Sequence, residues 1–342
     1  MKRILVIGAG LIGSRHVQAV RQHPRCRLAG VVDADPARGD GTAPFFQDLF
    51  DVDVEVDGAI IATPTGLHHP QGAHCAARGW HMLIEKPVAT TVEQAHELAQ
   101  VAARANVRCL VGHHRRYHPA VRQLREVITS GAIGDPVNST LIWSMRKPDD
   151  YFNTLWRQSE GSPVMINLVH DIDLLRFVLG EITDICGFGA DHQRDGARVE
   201  SGAVALRFES GACGTISFAD TTPSPWGFEA ATAENPNIAS SGQDMWWITG
   251  TKGAVSFPSL TLWTGARDWS QAPQPAQLPV QSAVPLEAQL DHFVDVIGGG
   301  AEPVINLKDA SRTLEATCRI EALLATDIKT RKGAHMPEFA KS

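Results

Sequence analysis

The chain has 342 residues, 43% hydrophobic and 20% charged, an ordinary globular composition with length for two cores rather than one. Its 38 acidic and 31 basic residues give a net charge of −7, and the one short basic cluster, HHRRYHP, is no concentrated stripe, so nucleic-acid and anionic-membrane binding are set aside. Six scattered cysteines without a CxxC pair and the absence of a long apolar run point to a reduced, cytoplasmic protein with no membrane span.

The first element is RILVI (3–7), a continuous apolar run suited to a strand buried on both faces of a parallel sheet. Gly8, Gly10 and Gly13 follow in GxGxxG spacing, and an amphipathic helix, SRHVQAVRQHP, comes next. A second strand, RLAGVVD, ends on Asp33, 20 residues after Gly13 (33 − 13). Strand, glycine turn, helix, strand and acid in this order are the dinucleotide fingerprint. The glycines let backbone close on a pyrophosphate at the helix N-terminus. Asp33 is placed to accept hydrogen bonds from the adenosine ribose and to repel a 2′-phosphate, which favours NAD over NADP.

Alternation continues with a third strand, GAIIATPT (58–65), a helix over 68–79, a fourth strand, WHMLIE, a helix over 91–106, and a fifth strand, VRCLVGHH. Parallel strands bring their C-terminal ends to one rim, where open sheets bind ligands. Thr63-Pro64, Glu85-Lys86-Pro87 and GHHRR therefore share that rim with the glycine loop.

Beyond a further helix the texture changes to short runs broken by Gly, Pro and Ser: VNSTLIWSM, EITDICGFGA, ARVESGAVALRFES, GACGTISFAD, MWWITGT, GAVSFP and LTLWTG. These read as a largely antiparallel sheet. One long helix, GSPVMINLVHDIDLLRFVLG (161–180), interrupts them, with Ser162 as N-cap, Pro163 in the first turn and Gly180 at its end. Asn167, His170, Asp171 and Asp173 interrupt its apolar stripe, and Asn167 and His170 share one face. Residues 264–285 read as an exposed connector, and helices over 286–298 and 307–328 close the chain. Arg146, Trp156 and Arg157 fall in a stretch where arginine suits a substrate carboxylate or, equally, a satisfied surface.

GAGLIG, EKP at the end of the fourth strand, GHHRRYHPA after the fifth, and the 161–180 helix together resemble the glucose-fructose oxidoreductase / inositol dehydrogenase / rhizopine-catabolism (Gfo/Idh/MocA) family, over nearly the whole chain. The resemblance implies an α/β protein: a Rossmann dinucleotide-binding domain (1–119) and an α/β domain (120–342) whose large, mostly antiparallel open sheet binds substrate and builds a homodimer or homotetramer. It implies a cis Lys86–Pro87 bond and an oxidoreductase that moves a hydride between NAD and a carbinol or carbonyl carbon of a sugar, polyol, inositol or cyclic diol. Lys86 then polarises the reacting oxygen and His170 is the acid/base.

Cofactor contacts carry over to Gly8, Gly10, Leu11, Ile12, Gly13 and Asp33, and to Thr63, Pro64, His68, Glu85, Lys86 and Arg116. Substrate contacts carry over to Lys86, Tyr117, Arg157, Asn167 and His170. Two positions depart from the family pattern: Ile166 stands where many members carry an Asp before the catalytic His, and His114 where Asn is common. The first departure keeps a second reading open, a cofactor-binding sensor without turnover. A metal site is not expected, because Arg115 and Arg116 separate His114 from His118 and no carboxylate or cysteine completes a set.

Overall fold

The computed structural model describes residues 1–153, 161–194, 198–235 and 237–333. By its internal contacts the chain divides into two units, Met1–His118 with Ser282–Glu315, and Pro119–Gln281 with the chain from Ala316 on.

The first unit holds a parallel six-stranded sheet: β1 (Lys2–Ile7), β2 (Cys26–Val32), β3 (Phe45–Phe46), β4 (Gly58–Ile61), β5 (His81–Ile84) and β6 (Cys109–Val111), in the order β3-β2-β1-β4-β5-β6. This is the doubly wound order with its switch beside β1, where such sheets open a crevice. Ile4, Leu5, Val6, Ile60, Ile61, Leu83 and Ile84 are buried in it, as the apolar runs require. Helices α1 (Leu11–Gln22), α2 (His68–Ala77) and α3 (Val92–Arg104) are the crossovers. The helix expected from Ser14 starts earlier, with Gly10 as N-cap, so Gly13 lies inside its first turn. The two-residue strand β3 carries no periodic signal and was not anticipated.

A boundary at 119/120 would place both C-terminal helices in the second domain, but the contacts divide them. Helix α7 (Pro285–Gly298) belongs to the first unit, and the division falls within α8 (Leu307–Gly333). Leu290, Phe293, Val294 and Ile297 give α7 an apolar face, and a Cβ on Gly58 of β4 would come within 2.6 Å of Ile297 Cδ1. Arg25 pairs with both Asp291 and Asp295 at the same contact.

The second unit begins with α4 (Pro119–Thr129) and carries an eight-stranded sheet. Its strands are β7 (Pro136–Ser144), β8 (Ile182–Ala190), β9 (Ser201–Phe208), β10 (Cys213–Ala219), β11 (Trp246–Gly250), β12 (Ala254–Phe257), β13 (Thr261–Thr264) and β14 (Gln274–Gln277), ordered β14-β13-β12-β11-β7-β10-β9-β8. All pairings are antiparallel except β7 with β10. The stretch read as a connector thus contains β14, paired to β13. Along β9 and β10 the buried and exposed residues alternate, so one face packs on the core while the other stays open.

The helix expected over 161–180 divides into a π-helical turn, Val164–Leu168, and α5 (Val169–Leu179). The N–H of Val169 donates to Val164 O, five residues back. The short helix α6 (Phe228–Thr232) follows β10. Among the described residues no helix is long and apolar enough to cross a membrane.

Candidate active site

Gly8 at the end of β1 has φ +89°, and a Cβ there would sit 2.8 Å from the Ala62 carbonyl carbon. A Cβ on Gly13 would fall 1.9 Å from Gly8 O, which locks the first turn of α1 against the strand end. At Gly10, by contrast, a Cβ would meet nothing within 4 Å. Gly10 caps α1 without a side chain, and the first turn carries no acid, so the helix offers its N–H groups and positive dipole end to an anion. Leu11 is exposed and Ile12 half-buried beside it.

Asp33 stands just past β2 with its carboxylate fixed by the loops it joins. Oδ2 accepts from Ala9 N at 2.6 Å and Oδ1 from Asp35 N at 3.0 Å. A cleft of about 480 Å³ runs from Gly8, Gly10 and Asp33 to Thr63, Pro64 and His74. Open space over Gly10, uncapped amides and an oriented carboxylate fit a dinucleotide, with the pyrophosphate on the turn and a ribose at Asp33.

Thr63 donates its hydroxyl to Gln71 Oε1 at 2.6 Å. His68 is buried, with Nδ1 2.8 Å from Pro87 O and Nε2 2.9 Å from Thr63 O. Burial pushes this imidazole below its ordinary value, against the two carbonyls that favour its charged form. Neutral, the ring has one N–H and donates it to one of these two carbonyls, so His68 sits wedged between the Thr63–Pro64 turn and the Lys86–Pro87 turn.

The Lys86–Pro87 bond is cis. Glu85 is buried beneath it, with Oε1 2.9 Å from His16 Nε2 on α1 and Oε2 accepting the Lys86 N–H at 3.3 Å. Burial alone would push this carboxyl up. The His16 hydrogen bond, with the charges of His16, His114 and Lys86, outweighs it and holds the carboxyl down at about 2. Glu85 is thus an anion seated between α1 and β6, where a Cβ on Gly112 would come within 2.8 Å of Oε2. Sequence reading missed His16. The signal was a polar residue on the stripe Gly13, His16, Val17 and Val20 that α1 buries.

Arg116 and Tyr117 are buried in the first unit. Arg116 Nη1 donates to Asp309 Oδ2 at 2.7 Å and to Val304 O at 3.2 Å, which fastens this turn to the start of α8. The Tyr117 ring centroid lies 5.7 Å from that of His292 on α7. His74 packs edge-on against Phe50 with centroids 4.7 Å apart.

In the second unit the π-helical turn carries the half-buried Asn167, and the buried His170 follows in the first turn of α5. Asn167 Nδ2 lies 3.4 Å from Glu229 Oε1, and Trp143 Nε1 donates to Glu229 Oε2 at 3.1 Å. Glu229, on α6, is buried and joins the helix bearing Asn167 to the sheet. Sequence reading takes SPWGFEAATAENP, which contains Glu229, as a loop that covers the pocket and does not single out this carboxylate, because nothing local shows which partners it meets. Asp171 and Asp173 are fully buried in α5. Trp156 and Arg157 lie outside the described residues.

Residues 2–113 match the model of an oxidoreductase family with a NAD-binding Rossmann fold, and residues 121–256 match the GFO/IDH/MocA C-terminal domain. The chain belongs to the GFO/IDH/MocA oxidoreductase family and is a NAD-binding oxidoreductase. It is 27% identical to the rhizopine catabolism protein MocA of Rhizobium meliloti, covering 97% of this chain and 98% of that one. It is 25% identical to the scyllo-inositol 2-dehydrogenase (NAD(+)) of Bacillus subtilis strain 168, covering 92% and 91%. The fold is similar to that of the WlbA dehydrogenase of Bordetella pertussis, solved in complex with NADH and UDP-GlcNAcA, with a TM-score of 0.77 at 22% identity over 97% and 96% of the two chains.

Proposed function

We propose that the protein is a NAD-dependent dehydrogenase acting on a CH–OH carbon of a sugar, polyol, inositol or cyclic diol, or on the corresponding carbonyl. The observation that carries this reading is the open glycine turn at the α1 N-terminus with Asp33 oriented beside it. Likeness to a scyllo-inositol 2-dehydrogenase over 91% of that protein's length supports a polyol-type substrate.

Gly8, Gly10, Leu11, Ile12 and Gly13 would hold the pyrophosphate, Asp33 the adenosine ribose, and Thr63, Pro64, Lys86 and Arg116's turn the nicotinamide side. NAD, when bound, supplies the hydride acceptor. Lys86 donates a hydrogen bond to the reacting oxygen and stabilises negative charge as it develops there. His170 takes the hydroxyl proton in oxidation and returns it in reduction, a task suited to imidazole because its ordinary pKa lies near neutrality. Glu85, held by His16, fixes the backbone N–H of Lys86. Asn167 and Tyr117, with Arg157 beyond the described residues, contact substrate.

The open face of the second sheet supports a homodimer or homotetramer. Phe188, Cys186, Ala203, Ala205, Thr215 and Ser217 are exposed on its three neighbouring strands, a mostly uncharged set of side chains suited to a partner copy.

The test is to mix purified protein, NAD⁺ and a panel of inositols, sugars and polyols, and to follow absorbance of the reduced nicotinamide. Turnover on one class is expected, lost by a factor of about 10² or more in Lys86→Ala and His170→Ala while NAD affinity stays within a few-fold. Tight NAD binding with no turnover across the panel would favour the sensor reading. Normal turnover in His170→Ala would remove that residue from the mechanism.

A further inference from the structure

The parallel strands β7 and β10 end side by side, with Ser144 paired to Ala219. The pairing runs on past both ends through Met145 N to Ala219 O and Lys147 N to Asp220 O, each 3.0 Å. Asp220 is fully buried at this edge and draws in three cations. Arg194 Nη1 lies 2.7 Å from Asp220 Oδ1, Arg198 Nη1 2.9 Å from Oδ2, and Lys147 Nζ 3.8 Å from Oδ2.

The two arginines account for the structural work. Arg194 Nη2 also donates to Lys147 O and Asp220 O, each at 2.9 Å, and both guanidiniums stack on Phe152 at 4.8 and 4.5 Å. Among the described residues Lys147 has only the looser pairing of its ammonium with Asp220. Its residue is 8% exposed, its ammonium makes no hydrogen bond to a described residue, and the Trp143 and Tyr151 rings flank it at 5.6 and 5.1 Å. A desolvated ammonium is costly unless something pairs with it. Burial lowers it to about 8, with Asp220 acting in the opposite direction, so it remains mostly charged at neutral pH.

The other carboxylates near this cluster have their own partners. Glu229 accepts from Trp143 and Asn167, Glu321 from Ser162 at 2.6 Å, and Glu200 from Gln193 N. Asp149 is mostly exposed, 3.9 Å from Arg194 Nε. The Trp143 ring that flanks Lys147 donates to Glu229, which meets Asn167 three residues before His170. Lys147 is a buried cation whose ammonium makes no hydrogen bond to a described residue, and the Trp143 ring beside it leads through Glu229 to Asn167, a setting that suits a single carboxylate on a polyol body.

We propose that Lys147, backed by Arg194, Arg198 and Asp220, is the recognition site for a carboxylate on the substrate, so that the preferred substrates are sugar acids or other carboxylated polyols. This deepens the dehydrogenase reading and rests on it for the identity of the ligand, but its first test needs no turnover. D-gluconate is titrated calorimetrically into the NADH-loaded wild type, Lys147→Met, Lys147→Arg and, as a charge control on the first unit, Lys308→Met. Saturable binding is expected in the wild type and the control, weakened about 30-fold in Lys147→Met, as for loss of a charge-assisted hydrogen bond, and partly restored in Lys147→Arg.

The second arm compares kcat/KM for D-gluconate with that for its uncharged counterpart D-glucitol. The ratio should favour gluconate in the wild type and fall by a similar factor in Lys147→Met. Absence of gluconate binding to the wild type, or equal binding by wild type and Lys147→Met, overturns the proposal even if turnover of neutral polyols is robust. Gluconate binding that depends on Lys147 without any turnover upholds it and counts against the dehydrogenase reading alone.

Discussion

Replacing Glu85 by Gln keeps the size of the side chain and removes the charge that His16 meets at 2.9 Å. The folded-state value of about 2 against an ordinary 4.5 separates the two protonation states by on the order of 3 kcal/mol, at about 1.36 kcal/mol per pH unit. Glu85 is buried, so solvent screening takes little from that figure. Because the folded value is depressed, the stabilisation is complete above about 4.5 and fades as pH falls toward 2.

Glu85→Gln should therefore lose on the order of 3 kcal/mol at pH 7 and only about 1 kcal/mol at pH 3. Urea unfolding of both proteins at the two pH values, followed by far-ultraviolet circular dichroism, measures the difference. A loss that is the same at pH 7 and pH 3, or no loss at either, would refute the ionic account of this pair. His16→Ala, which removes the partner instead, should raise the Glu85 carboxyl and shift the acid limb of stability upward.

The glycine turn offers a contrast between folding and binding. Gly13→Ala puts a Cβ 1.9 Å from Gly8 O and should disrupt the turn, with lower thermal stability and loss of NAD binding. Gly10→Ala meets no protein atom within 4 Å, so thermal stability should hold while NAD affinity, read by fluorescence titration, falls. Asp33→Ala removes the acceptor for Ala9 N and for the ribose, and should weaken NAD roughly 10- to 100-fold while narrowing its advantage over NADP. Glu229→Gln keeps the shape that Trp143 and Asn167 pack against but removes the charge, and urea unfolding should record a loss of about 1–2 kcal/mol.

The cofactor half of the site was legible because its requirements are local. A turn that admits only glycine, a helix that starts on it and an acid at the next strand end fall within 33 residues of sequence, and each is dictated by backbone geometry or by a charge at a strand end. The alternating strands of the second unit and the polar residues of the 161–180 helix were legible for the same reason, since period and breaks are local signals. The π-helical turn under Asn167 was not, because its sequence, VMINL, suits an ordinary helix equally well.

What only tertiary structure decided is the pairing of charges brought together from far along the chain. His16 meets Glu85, Arg116 meets Asp309, and Lys147 stands beside Asp220. Helix α7 returns to the first sheet because Gly58 leaves room for Phe293 and Ile297, a fit no period reveals. Sequence fixes which side chains are available and which backbone turns are possible. Burial then decides which charges must find partners, because only in a water-poor interior does an unmatched charge carry a cost large enough to shape a site.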